Sequence, residues 1–218
     1  MEKDYRLQIV FFDLLDSTQL YIKDLIKEHQ IDENLMVCTE KQTNGIGSRK
    51  NSWQGLDGNL FFSFCLKKEQ LPVDLPLASA SIYFSFLLKE LLATFGSAVW
   101  IKWPNDFYIE ERKIGGTITN LCDGYIVCGI GINLLEAPKG CGKLDISIDK
   151  KELLEKYKKT IEKKVLWKQV FSKYRLEFAC NKNFFTHDES GLEISLSDVV
   201  LEDDGSLSIN GERMYSLR

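Results

Sequence analysis

A succession of short strands joined by turns, between residues 98 and 132, is the feature that most constrains the fold. Pro104 ends the first apolar run, because a proline has no backbone N–H to donate to a strand ladder. Asp123-Gly124 predicts a tight hairpin turn between the last two runs. Strands joined in this way predict a largely antiparallel sheet, with strands at residues 98–101, 107–109, 117–121 and 124–132.

The rest of the chain predicts helices against this sheet and a small β unit at the end. Apolar runs predict further strands at residues 7–15, 37–39 and 58–66. Helix-start signals and apolar periodicity predict helices at residues 16–28, 76–95, 151–164 and 166–182. After that, short β-like runs alternate with Asp-Gly and Asn-Gly turns. We therefore expect an α+β fold, with a largely antiparallel mixed sheet flanked by helices in residues 1–182 and a small all-β domain in residues 183–218.

Charge and cysteine usage exclude several classes of function. The net charge is −4 at pH 7, so no general affinity for nucleic acid is implied. The six cysteines include no Cys-x-x-Cys pair and only two histidines are present, so a zinc site is not expected. Cysteines within apolar runs indicate buried free thiols and a reducing, cytoplasmic compartment. The start of the chain lacks the apolar core of a signal peptide, and no unbroken apolar run predicts a membrane span.

The hairpin predicted around Pro104 brings together a carboxylate, an amide and an ammonium group. Asn105 and Asp106 lie at its turn, and Lys113 enters the next strand just before Gly115-Gly116. A lysine there could hold a carboxylate or a phosphate as a fixed positive charge, or be an ordinary exposed strand lysine. Asp106 could bind a metal ion near phosphates, or cap the turn. The two glycines allow the backbone to approach a ligand closely.

Three further segments carry weaker signals. Ser17 and Thr18 begin a helix, where they either cap it or donate hydrogen bonds to a polar ligand. Residues 42–54 contain little that could be buried and predict a mobile surface loop, whose glycines resemble a phosphate-cradling loop but not a P-loop. Three tryptophans could either stack on a purine or pack in the core: Trp53, Trp100 and Trp103. These residues alone predict an enzyme with a pocket for a polar small molecule, with a nucleotide as a further candidate.

Six motifs that follow one another in a fixed order give a more specific prediction than these residues alone. They are Asp-Ser-Thr-Gln at 16–19, Gln-Thr-Asn-Gly-Ile-Gly at 42–47, Trp53 with Gly-Asn-Leu at 58–60, Lys-Trp-Pro-Asn-Asp at 102–106, Lys-Ile-Gly-Gly at 113–116 and Gly-Ile-Gly-Ile-Asn at 129–133. Over residues 7–135 this series closely resembles the biotin protein ligases, also called biotin–[acetyl-CoA carboxylase] ligases. The match is looser through the C-terminal β unit.

The resemblance implies a fold like that of the class II aminoacyl-tRNA synthetases, followed by a small SH3-like β-barrel. It implies an ATP-dependent ligase that uses Mg²⁺, activates biotin as biotinyl-5′-AMP and releases pyrophosphate. Biotin then passes to one lysine of the biotin carboxyl carrier protein of acetyl-CoA carboxylase or a related carboxylase. A monomer and a homodimer are both compatible with it. No helix-turn-helix precedes the first strand, so DNA is not an expected partner, and without a long apolar run a membrane is not expected either.

The same resemblance implies roles for individual residues. Lys113 matches the essential lysine, which touches the biotin carboxylate and the charge that develops at the α-phosphate. Asp106 matches the position associated with the metal and with accepting the proton of the substrate lysine. The implied biotin-binding residues are Ser17, Thr18, Gln19, Gln42, Gly45, Ile46, Gly47, Ser48, Lys113, Gly115 and Gly116. The implied ATP- or adenylate-binding residues are Trp53, Asn105 and Asn133, with Arg49 added by the following argument.

The loop departs from the family's usual pattern. That pattern reads Gly-Arg-Gly-Arg, with a further arginine before the tryptophan, whereas this chain has Ile46, Ser48 and Asn51 at the arginine positions. The absent guanidinium groups normally hold phosphates and cover the adenylate. We hypothesise that Arg49 is the replacement phosphate contact, and that the loop becomes ordered when ligands bind.

Two other functions stay open on the sequence. A lipoate–protein ligase or acyltransferase shares this kind of catalytic fold, although the Lys-Trp-Pro-Asn-Asp motif and the C-terminal β unit argue against it. A biotin-binding sensor without adenylation would explain the absent arginines. Such a binder, however, has no evident need for both Lys113 and Asp106.

Overall fold

A seven-stranded mixed sheet forms the body of the molecule. The computed structural model describes residues 6–47, 51–188, 191–209 and 211–215. The strands are β1 Leu7–Leu15, β2 Asn34–Gln42, β3 Gly45–Ile46, β4 Ser52–Trp53, β5 Leu60–Lys67, β6 Trp100–Lys102, β7 Asp106–Ile109, β8 Arg112–Cys122, β9 Tyr125–Ile132, β10 Phe185–His187, β11 Glu193–Ser195, β12 Val200–Leu201, β13 Leu207–Ile209 and β14 Glu212–Met214. The helices are α1 Thr18–Lys27, α2 Ala80–Thr94, α3 Lys150–Glu162 and α4 Trp167–Glu177.

The strand order in this sheet is β1-β2-β5-β9-β8-β7-β6. β1 and β2 pair in parallel, and α1 provides the crossover that a parallel pair requires. Each of the other neighbouring pairs in the sheet is antiparallel. The largely antiparallel mixed sheet predicted from the sequence is confirmed.

Alternating side chains of the central strands contribute to two hydrophobic cores. Val37, Cys65 and Val127 pack with Ile22 and Ile26 of α1 on one face of the sheet. Their chain neighbours on β2, β5 and β9 belong to a larger core that also includes side chains of α2, α3 and α4. Because successive strand residues face opposite sides, the sheet forms a middle layer between α1 and the other three helices.

The most apolar helix, α2, lies inside the larger core. Together with the short 3₁₀ turn before it, the segment Leu77–Thr94 has the length and composition that a membrane-spanning helix needs. Most of that segment is nevertheless buried inside the fold. Packing against the sheet and against α3 and α4 therefore accounts for its apolar character.

Strand β8 is longer than the sequence pattern predicts. It runs without a break from Arg112 to Cys122, whereas the sequence pattern predicts a strand that Lys113 enters before the two glycines and a strand at residues 117–121 after them. A Cβ atom on Gly115 would lie 2.5 Å from the carbonyl oxygen of Gly131 on β9. The glycine therefore allows β8 and β9 to approach closely, and it does not end the strand.

The C-terminal part of the described chain is a small β region, as predicted. β10 pairs with β11, and β12, β13 and β14 form a three-stranded sheet. Leu196 and Leu207 are fully buried and belong to the same large core as α2. The SH3-like barrel and a domain boundary at residue 183 stay predictions. The sequence pattern missed β10 and β14, in which Phe185 and Met214 are the only large apolar residues.

The six cysteines are all free thiols, and three of them are buried. Burial raises the pKa of Cys38 to about 12 and that of Cys65 to about 11, and it also raises the pKa of Cys128. Only a thiolate attacks an aromatic disulfide reagent. At about pH 8 we therefore expect no more than three thiols of the native protein to react, namely Cys122, Cys141 and Cys180. All six should react after denaturation, and rapid reaction of a fourth native thiol would contradict the burial.

Candidate active site

A cavity of about 360 Å³ opens over the C-terminal half of β9 and the adjoining part of β8. The beginning of α1, the end of β2, the β6–β7 hairpin and the loop after β9 form its walls. Most of the residues singled out by the sequence line this cavity: Ser17, Thr18, Gln19, Gln42, Ile46, Gly47, Trp53, Asn105, Asp106, Lys113, Gly115, Gly116 and Asn133. Gly45 is buried beside the cavity and does not line it, and Ser48 and Arg49 lie outside the described residues.

The β6–β7 hairpin and β8 bring a cation and an anion together at one end of the cavity. The Nζ atom of Lys113 lies 2.8 Å from Oδ1 of Asp106. Asp106 stands opposite Gly116 in the β7–β8 register, and a Cβ atom on Gly116 would lie 3.1 Å from that same Oδ1. The ion pair therefore lies directly over a backbone that carries no side chain.

Asp106 is the only carboxylate among the described residues that line the cavity. Tyr108 lies opposite Lys113 in the β7–β8 register, but burial raises its pKa to about 12. Its phenol is therefore neutral at physiological pH, and Tyr108 does not line the cavity. Asp106 is therefore the one carboxylate among the described cavity-lining residues that could accept a proton at this end.

The opposite wall of the cavity is a network of neutral polar groups. The backbone N–H of Thr18 donates to Oε1 of Gln42 over 2.9 Å. The hydroxyl of Thr18 shares a hydrogen bond of 2.8 Å with that of Ser63. Ser17 caps α1 by accepting from the backbone N–H of Leu20, which confirms the capping interpretation for this residue.

Ser63 is a cavity residue that the sequence reasoning missed. It occupies the middle of the apolar strand β5 and is almost fully buried. The sequence did contain a signal for Ser63, namely a hydroxyl group inside a run of phenylalanines. A polar side chain buried in such a run needs a hydrogen-bond partner. Pro138 and Cys141, on the loop after β9, also line the cavity and gave no comparable signal.

Three buried polar atoms of cavity-lining residues have no hydrogen-bond partner. They are Oε1 of Gln19, Nε1 of Trp53 and Oδ1 of Asn105, and they make up half of the six such atoms found among the described residues. A buried polar atom without a partner costs on the order of 1–3 kcal/mol. A ligand with matching donors and acceptors would recover that cost, so the three atoms indicate a polar ligand.

The segment between residues 42 and 54 has more structure than its composition predicts. β3 and β4 pair with each other, Gly45 opposite Trp53, and Gly45 is buried. A Cβ atom on Gly131 would lie only 2.7 Å from Cε2 of Trp53. Among the described residues of this segment only Gly45 is buried, so the expectation that it buries little holds for them, and its mobility stays a prediction.

Asparagine side chains hold the loop after β9 against the strand that carries Lys113. Nδ2 of Asn133 donates to the carbonyl oxygen of Gly142 over 3.0 Å, and the N–H of Gly142 donates to the carbonyl oxygen of Lys113 over 2.9 Å. Oδ1 of Asn59 accepts from the backbone N–H groups of residues 134 and 135. In this structure Asn133 therefore positions the loop at the edge of the cavity.

Comparison with known proteins places this geometry in a family. The family model described as "Biotin/lipoate A/B protein ligase family" matches residues 11–134, which is more than half of the chain. Among curated proteins, the bifunctional ligase/repressor BirA of Escherichia coli is 31% identical over 133 residues, covering 58% of this chain and 40% of its own length. Biotin--protein ligase 2 of Arabidopsis thaliana is 35% identical over 116 residues. The chain thus spans well under half the length of these curated relatives.

Solved structures are similar over nearly the whole chain. The biotin acetyl coenzyme A carboxylase synthetase of Helicobacter pylori, solved with bound biotinylated ATP, is 38% identical and covers 96% of this chain and 99% of its own, with a TM-score of 0.91. The biotin protein ligase of Aquifex aeolicus in complex with biotin and ATP shares the fold at 22% identity, with a TM-score of 0.76. These similarities confirm the predicted biotin-ligase-like architecture of a mixed sheet flanked by helices. The chain belongs to the biotin/lipoate A/B protein ligase family.

Proposed function

We propose that this protein is a biotin–protein ligase, which condenses biotin with ATP to biotinyl-5′-AMP and pyrophosphate and then transfers biotin to a lysine of a carboxyl carrier protein. The observation that carries the proposal is the Lys113–Asp106 pair at one end of a cavity whose other wall is neutral and polar. The similar protein from Helicobacter pylori holds biotinylated ATP, which is the kind of ligand that this arrangement fits.

In the first step a biotin carboxylate oxygen attacks the α-phosphorus of ATP. An oxygen–phosphorus bond forms, the bond to the β-phosphate oxygen breaks, and pyrophosphate leaves with that electron pair. Both reactants are anions, so the reaction needs a fixed cation where they meet. Lys113 is the only lysine or arginine among the described residues that line the cavity, and we assign it this role.

A Mg²⁺ ion fits the cavity only if the substrate supplies most of its ligands. Among the described residues there is no cluster of three metal-binding side chains. Mg²⁺ at phosphates is commonly held by one or two carboxylates together with phosphate oxygens and water, and Asp106 would supply one such carboxylate. When bound, the ion would supply charge neutralisation at the phosphates.

In the second step the amine of the acceptor lysine attacks the carbonyl carbon of the mixed anhydride. A carbon–nitrogen bond forms, the carbon–oxygen bond to the phosphate breaks, and AMP leaves. The attacking amine must lose a proton, and Asp106 is placed to accept it at the same end of the cavity. Holding Asp106 on a strand beside Lys113 fixes its position for this transfer.

The finer parts of the function follow from this proposal. We infer that the acceptor is the biotin carboxyl carrier protein of acetyl-CoA carboxylase or a related carboxylase. We place the enzyme in the cytoplasm, because six unpaired cysteines suit a reducing compartment. Arg49 stays our candidate for the phosphate contact that the family's loop arginines normally make.

One assay distinguishes this function from the alternatives. The protein is incubated with ATP, Mg²⁺, a carboxyl carrier domain, and either biotin or lipoate, and the mass of the carrier is measured. We expect the carrier to gain one biotinyl group and to stay unmodified with lipoate. Gain with lipoate would instead identify a lipoate ligase, and the absence of any reaction, with biotin still bound, would identify a sensor. Pyrophosphate release without transfer would show that the carrier is the wrong acceptor.

A further inference from the structure

Behind the cavity wall, a short chain of hydrogen bonds joins α1 to β8. Gln19 and Lys23 are four residues apart on α1 and so share a face of the helix. Both donate to the same atom, Oδ1 of Asn120 on β8: Nε2 of Gln19 over 3.1 Å and Nζ of Lys23 over 2.6 Å. Gln19 lines the cavity, whereas neither Lys23 nor Asn120 does.

The ammonium of Lys23 sets the direction of this chain of hydrogen bonds. An ammonium group only donates, so it holds the oxygen of Asn120, and not the nitrogen, toward α1. Because Gln19 faces this oxygen, it must present a donor, and its Nε2 therefore points toward Asn120. The Oε1 atom of Gln19 is then the free end of the amide, and it is buried without a partner.

Gln19 lies at the opposite end of the cavity floor from the ion pair. A Cβ atom on Gly129 would contact Cδ of Gln19 at 3.5 Å, whereas one on Gly116 would contact the Lys113–Asp106 pair. Gly116 stands opposite Gly131, which is two residues from Gly129 along β9. At about 3.4 Å per residue the two ends are about 7 Å apart along the strand. A carboxylic acid with its carboxylate at Lys113 would therefore carry its distal group toward Gln19.

We propose that Lys23 and Asn120 are positioning residues, which orient the amide of Gln19 so that its Oε1 atom accepts a hydrogen bond from an N–H group on the distal end of the acid substrate. This inference rests on the proposed function. The fused ring system of biotin offers two ureido N–H groups, whereas the dithiolane ring of lipoate offers none. Lys23 and Asn120 thus help the site to select an acid that carries an N–H group over a dithiolane acid of similar length.

Four variants test this role: N120L and K23M remove the orienting groups, N120D keeps an acceptor at residue 120, and K27M is the matched control. Lys27 lies one turn beyond Lys23 on α1, is exposed and pairs with Asp24. Calorimetry measures the Kd for biotin without ATP, and pyrophosphate release measures kcat and the KM for ATP. We expect N120L and K23M to raise the biotin Kd by about tenfold, with kcat and the ATP KM within about twofold of the wild type. N120D should recover most of the lost affinity, and K27M should match the wild type.

The outcomes separate this inference from the function on which it rests. If the wild type does not bind biotin, the proposed function fails and the inference fails with it. If the wild type binds biotin but N120L and K23M bind it equally well, the positioning role alone is rejected. A rise in the ATP KM equal to that in the biotin Kd, together with a lower Tm, would show a purely structural role and would also reject it. The same holds if N120D binds biotin as weakly as N120L.

Discussion

Replacing Lys113 with methionine is expected to lower kcat/KM for biotinyl-adenylate formation by about a thousandfold. Methionine keeps an unbranched apolar stem but removes the ammonium that lies 2.8 Å from Asp106. Two anions must then meet at a cavity wall whose remaining carboxylate repels them both. Water compensates poorly for such a loss in a partly closed site, where charges interact more strongly than in bulk solvent. Pyrophosphate release with saturating ATP measures the effect.

Lys67 offers a matched control on the same sheet. It ends β5, pairs with Tyr125 and lies at the end of that strand far from the cavity, with its Nζ 5.8 Å from the centre of the Tyr125 ring. K67M therefore removes a strand lysine without touching the site, and its activity should stay within about twofold of the wild type. Because the Lys113–Asp106 pair is partly exposed, K113M should change the free energy of unfolding by no more than about 1 kcal/mol. A stable K113M variant with activity within about tenfold of the wild type would contradict the assigned role.

The sequence predicted those parts of the molecule in which a local pattern has one structural solution. The hairpin turn at Asp123-Gly124 is an example, because both residues have a positive φ, of 42° and 82°, as such turns require. The strand at Leu7–Leu15 has the predicted limits. The Lys113–Asp106 pair follows from the same logic, since a short hairpin leaves few ways to place two residues on neighbouring strands.

Other parts depend on contacts between residues far apart in the sequence, which no local pattern encodes. The sequence predicted strand segments before and after Gly115-Gly116, and only the closeness of Gly131 shows that the glycines continue one strand. The hydrogen bond between Lys23 and Asn120 joins residues 97 positions apart. The tryptophans illustrate the same limit: Trp53 lines the cavity, while Trp103 lies in the large core.

Trp103→Phe is expected to lower the free energy of unfolding by about 2–3 kcal/mol, and Tm by about 4–12 °C. Only 2% of Trp103 is exposed, and its Nε1 donates to the carbonyl oxygen of Gly205 in the C-terminal β region over 2.9 Å. Phenylalanine leaves part of the indole volume empty and removes the donor of a buried hydrogen bond. The backbone N–H of Trp103 also donates to the buried side chain of Asn181 over 2.7 Å, so this position has little freedom to shift and refill the space. Thermal unfolding followed by circular dichroism gives both quantities.

Trp100→Phe is the matched control for this change. Trp100 lies three residues earlier, and its Nε1 also donates to a backbone carbonyl oxygen, that of Glu110, over 2.9 Å. That bond is exposed, so water can replace the lost donor and the destabilisation should stay below about 1 kcal/mol. Equal losses in the two variants would show that the burial of Trp103 and its hydrogen bond to Gly205 add no stability beyond what the exposed bond of Trp100 adds, which would contradict the prediction. A larger loss in Trp103→Phe would show that this buried side chain, which donates to the C-terminal β region, stabilises the segment that leads into Asn105 and Asp106 and so supports that end of the cavity from outside it.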